Sequence, residues 1–223
     1  MSTSATLRRY TNALSLLDIL RHQRLTLLNP SRWYDQNDAL GLKSYGRHFD
    51  NMSVFAACFA EGAEQAHHWQ IFAGDAHGVA IIFNKDRLLQ IFDALKDFYE
   101  IRHGPVLYCN LKQLRDRSPI PIEQLPFLKR ETFKAEEEYR VVALDNAIFG
   151  TELMHIPIRL DCIERVVLGP GMPDSLAKSL REISIDLEGC SEMNFSKSRL
   201  VNNESWAEAL SEALGKEARE KLA

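Results

Sequence analysis

Met52-Ser53-Val54-Phe55-Ala56-Ala57-Cys58-Phe59 is an almost continuously apolar run of strand length. It lacks the alternation of a half-exposed strand, so it reads as a strand buried on both faces. The flanking segments decide what kind of sheet it belongs to. Downstream, Glu61 to Phe72 looks helical and Gly74 marks its end. Val79 to Phe83 is a second buried strand, followed by a helix carrying Leu88, Leu89, Ile91, Phe92 and Leu95. Val106 to Tyr108 and Glu138 to Leu144 read as further strands. Between them Arg117 to Pro126, with three prolines, reads as a connection within the domain.

Pro157 demotes the strand Met154 to Leu160 to a sheet edge. Arg165 to Leu168 is a compact strand ending at the turn Gly169-Pro170-Gly171. Helices follow from about Ser175 to Ile183 and from Glu204 to the end. Upstream, Leu7 to Thr11 is a short strand, and Asn12 or Thr11 can cap a helix bearing Leu14, Leu17 and Leu20. Leu25 to Leu28 is a strand stopped by Asn29-Pro30. Ser31 to Asp38 mixes polar and aromatic residues and reads as a working loop. Strands and helices alternate without a β-α-β rhythm or a repeat, which predicts an α+β fold. No composition shift divides residues 1–223, so one domain is expected, with the stripe Trp206, Ala209, Leu210, Ala213 and Leu214 docking the last helix (about 204–223) on it.

Bulk properties narrow the function classes. The chain of 223 residues is 45% hydrophobic and 26% charged, with a net charge of −4. These values suit a packed globular protein and argue against a strongly basic nucleic-acid binder. Cys58, Cys109, Cys162 and Cys190 show no C-x-x-C spacing, which removes the usual zinc and redox frameworks. His67, His68 and His77 have no carboxylate at a metal-ligand spacing, so no metal is expected. The N terminus has no signal-peptide pattern, and no apolar run approaches the ~18 residues of a membrane span. A cytoplasmic protein without membrane association is therefore expected.

Several short patterns occur in a suggestive order: Leu7-Arg8-Arg9-Tyr10-Thr11, Asn29-Pro30-Ser31-Arg32-Trp33-Tyr34-Asp35, His68-Trp69-Gln70-Ile71-Phe72 with His77-Gly78-Val79, Lys134-Ala135-Glu136-Glu137-Glu138-Tyr139-Arg140, and Arg165-Val166-Val167-Leu168-Gly169. Together they resemble the motifs of a bacterial domain-of-unknown-function family. Departures are Tyr34 in place of Asn, Gln36 in place of Pro and Phe72 in place of Tyr. The layout of that family in turn resembles the ADP-ribosyltransferase superfamily: a basic residue on the first strand, a polar-aromatic loop after the second, and a late strand bearing glutamate. The resemblance implies a split, mixed, mostly antiparallel sheet with NAD as substrate.

Breaking the nicotinamide–ribose bond develops positive charge on the sugar, which a carboxylate stabilises. In that reading Glu138 is the catalytic carboxylate and Glu136 orients the acceptor. Arg9 clamps the dinucleotide, with Tyr10 and Thr11 beside it. In the loop Arg32 neutralises pyrophosphate, Trp33 or Tyr34 stacks on a ring, and Ser31 completes the contact set. The acceptor would be a macromolecule, protein or nucleic acid, and a toxin or phage-defence role with a restraining antitoxin is compatible. The plainer reading of the strand is an alternating charged face on which Glu138 and Arg140 merely pair. Two rival functions stay open: a nuclease-type toxin acting on RNA, and a binding module that keeps the fold without turnover. Convergence of Arg9, Arg32 and Glu138 on one pocket separates the enzyme from the module.

Overall fold

In the computed structural model, residues 5–145 and 151–213 are described, the side chains of Arg32 and Asp75 apart. Strand β1 (Thr6–Asn12) runs into helix α1 (Ala13–His22), whose N-terminus is capped by Asn12 through the Ser15 N–H at 2.9 Å. Strand β2 (Arg24–Leu28) leads through a short 3-10 turn, Pro30–Arg32, into helix α2 (Gln36–His48). Much of α2 carries no helical signature in the sequence, and its first turn falls within the stretch expected as loop. Its interior holds two glycines and few apolar residues, but Asp35 supplies the start signal by capping Asn37 N–H at 3.0 Å.

Strand β3 (Ser53–Ala60) is the run quoted above. The helix expected over Glu61 to Phe72 is shorter: one turn, α3 (Ala66–His68), continues into a π turn, Trp69–Ala73, which Gly74 ends in the left-handed region at φ 69°. Then come β4 (Gly78–Asn84), α4 (Lys85–Tyr99), β5 (Arg102–Pro105), β6 (Leu107–Cys109) and α5 (Leu111–Asp116). The proline-rich stretch holds a 3-10 turn, Ile122–Phe127, before β7 (Leu128–Arg130). The chain continues with β8 (Glu138–Asp145), β9 (Leu153–Pro157), β10 (Ile163–Leu168), α6 (Asp174–Ile185), β11 (Phe195–Lys197) and α7 (Glu204–Ala213).

The architecture is α+β: among the described residues, an open sheet of nine strands in which every pairing is antiparallel except β10 with β11, beside a small parallel pair β6–β7. Among these strands β9, with Pro157 as its last residue, pairs only with β2 and forms an edge. The feature that positions the site is β3. One of its edges pairs with β8 from Ser53↔Asp145 to Ala60↔Glu138. The other edge is shared, by β2 at Ala56 and by β1 at Ala60, so the sheet forks between them.

Directly opposed residues in a sheet share a face, which divides the side chains cleanly. One face, carrying Leu7, Phe59, Phe83 and Val141, packs on α1 and α4 as the main core. The other bears two separate apolar caps. Leu42 and Tyr45 of α2 cover Val54, Ala56, Val142 and Leu144. Trp69 and Ala73 cover Ala80 and Ile82 beside Tyr10. Between these caps lie Cys58, Ala60, Glu138 and Arg140. No residue of α7 is buried, so over the described residues the stripe expected to dock stands in solvent; residues 214–223 lie outside them. Among the described residues no helix is long and apolar enough to cross a membrane.

Candidate functional site

The period-2 alternation of β8 puts Glu138 and Arg140 side by side on the face between the caps. Arg140 is fully buried and spends all five of its N–H donors. Its Nε and Nη2 donate to Glu138 at 2.7 and 3.0 Å, its two Nη atoms donate to Asp38 at 2.8 Å each, and Nη1 also reaches Pro126 O at 2.7 Å. The Trp33 ring lies 5.2 Å from the guanidinium carbon. Lys129 completes the group, with its Nζ 3.0 Å from Glu138, 3.6 Å from Asp38 and hydrogen-bonded to Glu136. One guanidinium thus ties α2, the 3-10 turn at Pro126 and β8 together.

The electrostatics follow from this crowding. Burial alone would raise the Glu138 carboxyl, but the adjoining Arg140 overrides it and holds the group down at about 2. Burial opposes the charge on Arg140 and Lys129 too, and the neighbouring carboxylates outweigh it, so both are raised. Glu136 goes the other way: burial raises it despite Lys129. Three carboxylates against two cations leave this cluster one negative charge in excess when all are ionised.

Beside the cluster a pocket of about 340 Å³ opens at the start of β8, lined by Glu61, Gly62, Val106, Tyr108, Glu137 and Glu138 among others. Tyr108 Oη accepts the Glu138 N–H at 2.8 Å, and Glu138 O accepts from Val106 N–H at 2.8 Å, fixing the rim. Glu137 adopts the left-handed region at φ 44°, and its carboxylate lies against Gly62, where a Cβ would stand 1.4 Å from Oε2. The Gly62 carbonyl in turn accepts a hydrogen bond from Arg8.

The expected residues are only partly brought together. Glu136 and Glu138 meet at Lys129. Arg9 does not join them: Arg8 pairs with Ala60, and Ala60 with Glu138, so Arg8 shares the carboxylate face while Arg9 points to the opposite one. There Arg9 spans the fork, donating to Thr26 O at 3.1 Å with its guanidinium carbon 5.8 Å from the Phe59 ring. Thr11 shares that opposite face by alternation. Trp33 is a packing partner of Arg140, Tyr34 is exposed, and the exposed Ser31 donates its N–H to Asn29 Oδ1 at 2.9 Å. The side chain of Arg32 lies outside the described ones. Asp35, the last residue of the loop motif, is the cap of α2.

Tyr10 faces the site side, packed against His68 and Trp69 at ring separations of 4.9 and 5.1 Å. Trp69 is core against Ala73, Ala80 and Ile82, while Phe72 is exposed, and it also borders a second, apolar pocket with Pro170 and Leu200. Sequence reasoning missed Arg8, Asp38, Tyr108, Lys129 and the buried His68. A signal existed for Arg8: it lies out of phase with Leu7, the one strongly apolar residue of its strand, whereas Arg9 lies in phase. None existed for Asp38 or Lys129, whose roles depend on contacts across the fold.

Residues 68–141 match a family described as "Protein of unknown function (DUF2971)". The matched segment runs from His68 through Tyr108 and Lys129 to Glu138 and Arg140, so it contains most of the cluster and of the pocket rim. No curated protein matches the chain.

Proposed function

We propose that the protein binds NAD with a ribosyl group in the pocket at the start of β8, cleaves the nicotinamide–ribose bond and passes ADP-ribose to a macromolecular acceptor. The observation that carries this reading is a pocket lined by three glutamates, Glu61, Glu137 and Glu138, with Glu61 paired to Lys85 at 2.6 Å and Glu138 at the base of the charged cluster. Carboxylate oxygens in such a lining accept hydrogen bonds from a sugar's hydroxyls, and the sugar becomes cationic as its glycosidic bond breaks. Phosphate must be held outside the pocket, and Arg8, on the same face and against Gly62, replaces Arg9 as the clamp. Glu138 supplies fixed negative charge, and Glu136, raised by burial, orients the acceptor. The superfamily layout remains an analogy of fold and does not by itself assign the chemistry.

A second reading, a binding module without turnover, is favoured by one specific observation: both Glu138 oxygens already accept from Arg140, and one from Lys129 as well. Incubating the purified chain with labelled NAD and cell extract separates the two. Labelled macromolecule or free nicotinamide supports the enzyme. Saturable NAD binding without either supports the module, and absence of binding rejects both. Calorimetry assigns the clamp: Arg8→Ala should weaken NAD binding by about 10-fold, in line with loss of one charge-assisted contact, while Arg9→Ala leaves it within two- to threefold. The reverse pattern would return the role to Arg9.

A further inference from the structure

Resting on the NAD reading above, we propose that Glu137 holds the sugar in the pocket, its carboxylate accepting from two neighbouring hydroxyls of the ribosyl group, and that Gly62 is the positioning residue that leaves room for it. Hydrogen-bond capacity separates the three glutamates that line the pocket. Glu61 pairs with Lys85 at 2.6 Å, and Glu138 is spent on Arg140 and Lys129. Glu137 is exposed, and among the described residues no cation pairs with it and no hydrogen bond holds its carboxylate. A carboxylate with both oxygens open can accept from two adjacent donors at once. The vicinal hydroxyls of a ribose are such a pair, and a deoxyribose lacks one of them. Of the three consecutive glutamates, Glu136 and Glu138, the two singled out by the sequence motif, are the ones that Lys129 ties up.

The backbone aims this side chain. Glu137 ends the 3-10 turn Glu131–Glu136 in the left-handed region. Its N–H donates to Lys134 O at 3.2 Å, and its carbonyl accepts from Glu61 N–H at 2.9 Å. Gln23 and Glu100 end α1 and α4 in the same conformation, so the dihedral by itself marks no site. What distinguishes Glu137 is where its side chain goes. The fixed backbone carries the carboxylate across to Gly62, where a Cβ would stand 1.4 Å from Oε2 and 2.6 Å from Cδ. Any larger residue at position 62 must push the carboxylate aside. The atoms in the way are the end of a flexible side chain, so an alanine there moves the carboxylate and spares the fold. The Gly62 carbonyl also takes the hydrogen bond from Arg8. The phosphate clamp and the sugar acceptor therefore meet at one glycine on the rim.

Calorimetry of the full chain with NAD, and with an NAD analogue lacking the 2′-hydroxyl of the nicotinamide ribose, tests this. Wild type should bind the analogue about 10-fold more weakly than NAD, the effect of one charge-assisted hydrogen bond. Glu137→Asn keeps a residue that tolerates the left-handed region while removing the charge and shortening the reach. It should bind NAD at least about 10-fold more weakly than wild type, bind both ligands alike, and hold or exceed the wild-type thermal midpoint. Gly62→Ala should weaken NAD binding by about 10-fold in the wild-type background and add nothing in the Glu137→Asn background. A merely structural role for either residue would lower the midpoint and leave the preference for NAD over the analogue intact. Three outcomes overturn the proposal while the NAD reading stands: a wild type that binds both ligands alike, a Glu137→Asn protein that still prefers NAD, or a Gly62→Ala effect undiminished in the double variant. A wild type that binds no NAD overturns both.

Discussion

Glu138 illustrates how a residue can look catalytic in sequence and be held by its neighbours in the fold. Its carboxylate is paired with Arg140 and Lys129, so replacing it takes a carboxylate from each of two buried cations and leaves Arg140 to Asp38 and Lys129 to Glu136 and Asp38. Glutamine keeps the shape and one acceptor oxygen, but its amide N–H groups would face the donors of Arg140 or Lys129. Breaking a buried pair from one side costs about 3–5 kcal/mol. For a chain of this size, Glu138→Gln should therefore lower the thermal midpoint by roughly 6–12 °C if the cost is near the lower end of that range. The same protein decides its catalytic part. Calorimetry gives the fraction folded, and NAD turnover per folded molecule should fall by roughly 10²–10³ if the carboxylate charge acts on the transition state. A lower midpoint with unchanged turnover per folded molecule would leave Glu138 a structural pairing residue and favour the module. An unchanged midpoint would show that Arg140 and Lys129 find other partners.

At the scale of elements, α2 is held by two aspartates that act differently. Asp35 caps its N-terminus, and Asp38, one turn on, delivers the bidentate bond to Arg140. Asp35→Ala should cost about 1 kcal/mol, the usual value of a lost cap. Asp38→Ala, which takes one of its two carboxylate partners from the buried Arg140 guanidinium, should cost more, up to about 3–5 kcal/mol. Urea unfolding of both variants checks the ranking, and equal costs would mean that α2 does not depend on Arg140. The two motifs behind this packing were visible in the sequence as Trp33-x-Asp35 and Glu136-x-Glu138-Tyr139-Arg140, but their mutual contact was not. Strands β2 to β4 and β8 were legible because uninterrupted or paired apolar residues fix them. Helix α2 was not, since only Leu42, Tyr45 and two small residues anchor its buried face besides Asp38. The face of Arg9 was also lost, because strand parity must be counted from a residue whose burial is known. Leu7 supplies that reference only once the core is seen.

At the scale of the molecule, the fork in the sheet leaves a polar seam between two apolar caps, and His68 is buried at one side of it. The residue is 1% exposed, and among the described residues neither ring nitrogen makes a well-formed hydrogen bond, the Glu136 backbone being the polar group beside it. Burial, reinforced by His67 and Arg8, pushes its pKa down from 6.5 to about 4. The sign follows by linkage. Below pH 6.5 the unfolded chain binds a proton at this position, and the folded chain does not until about pH 4. Stability is therefore complete above pH 6.5 and drains away as the pH falls toward 4, by at most about 3 kcal/mol at ~1.4 kcal/mol per unit. His155, also lowered by burial and by Arg24, adds a smaller change of the same sign. Glu138 acts in a separate window: its contribution is present above the ordinary carboxylate range and is lost as the pH falls toward its folded value of about 2. Replacing His68 by Phe keeps an aromatic ring against Tyr10 and removes both unpaired nitrogens, so the variant should match or exceed wild type at pH 5. Urea unfolding at pH 7.5, 6.5, 5.5 and 4.5 measures both slopes. Wild type should hold its stability from pH 7.5 to 6.5 and lose it steadily from 6.5 to 4.5, and His68→Phe should lose much less, with the rest of the slope belonging to His155. A wild type flat from 7.5 to 4.5, or a His68→Phe protein with the wild-type slope, would mean that His68 is charged in the folded protein. The seam would then have to hold an anion beside it.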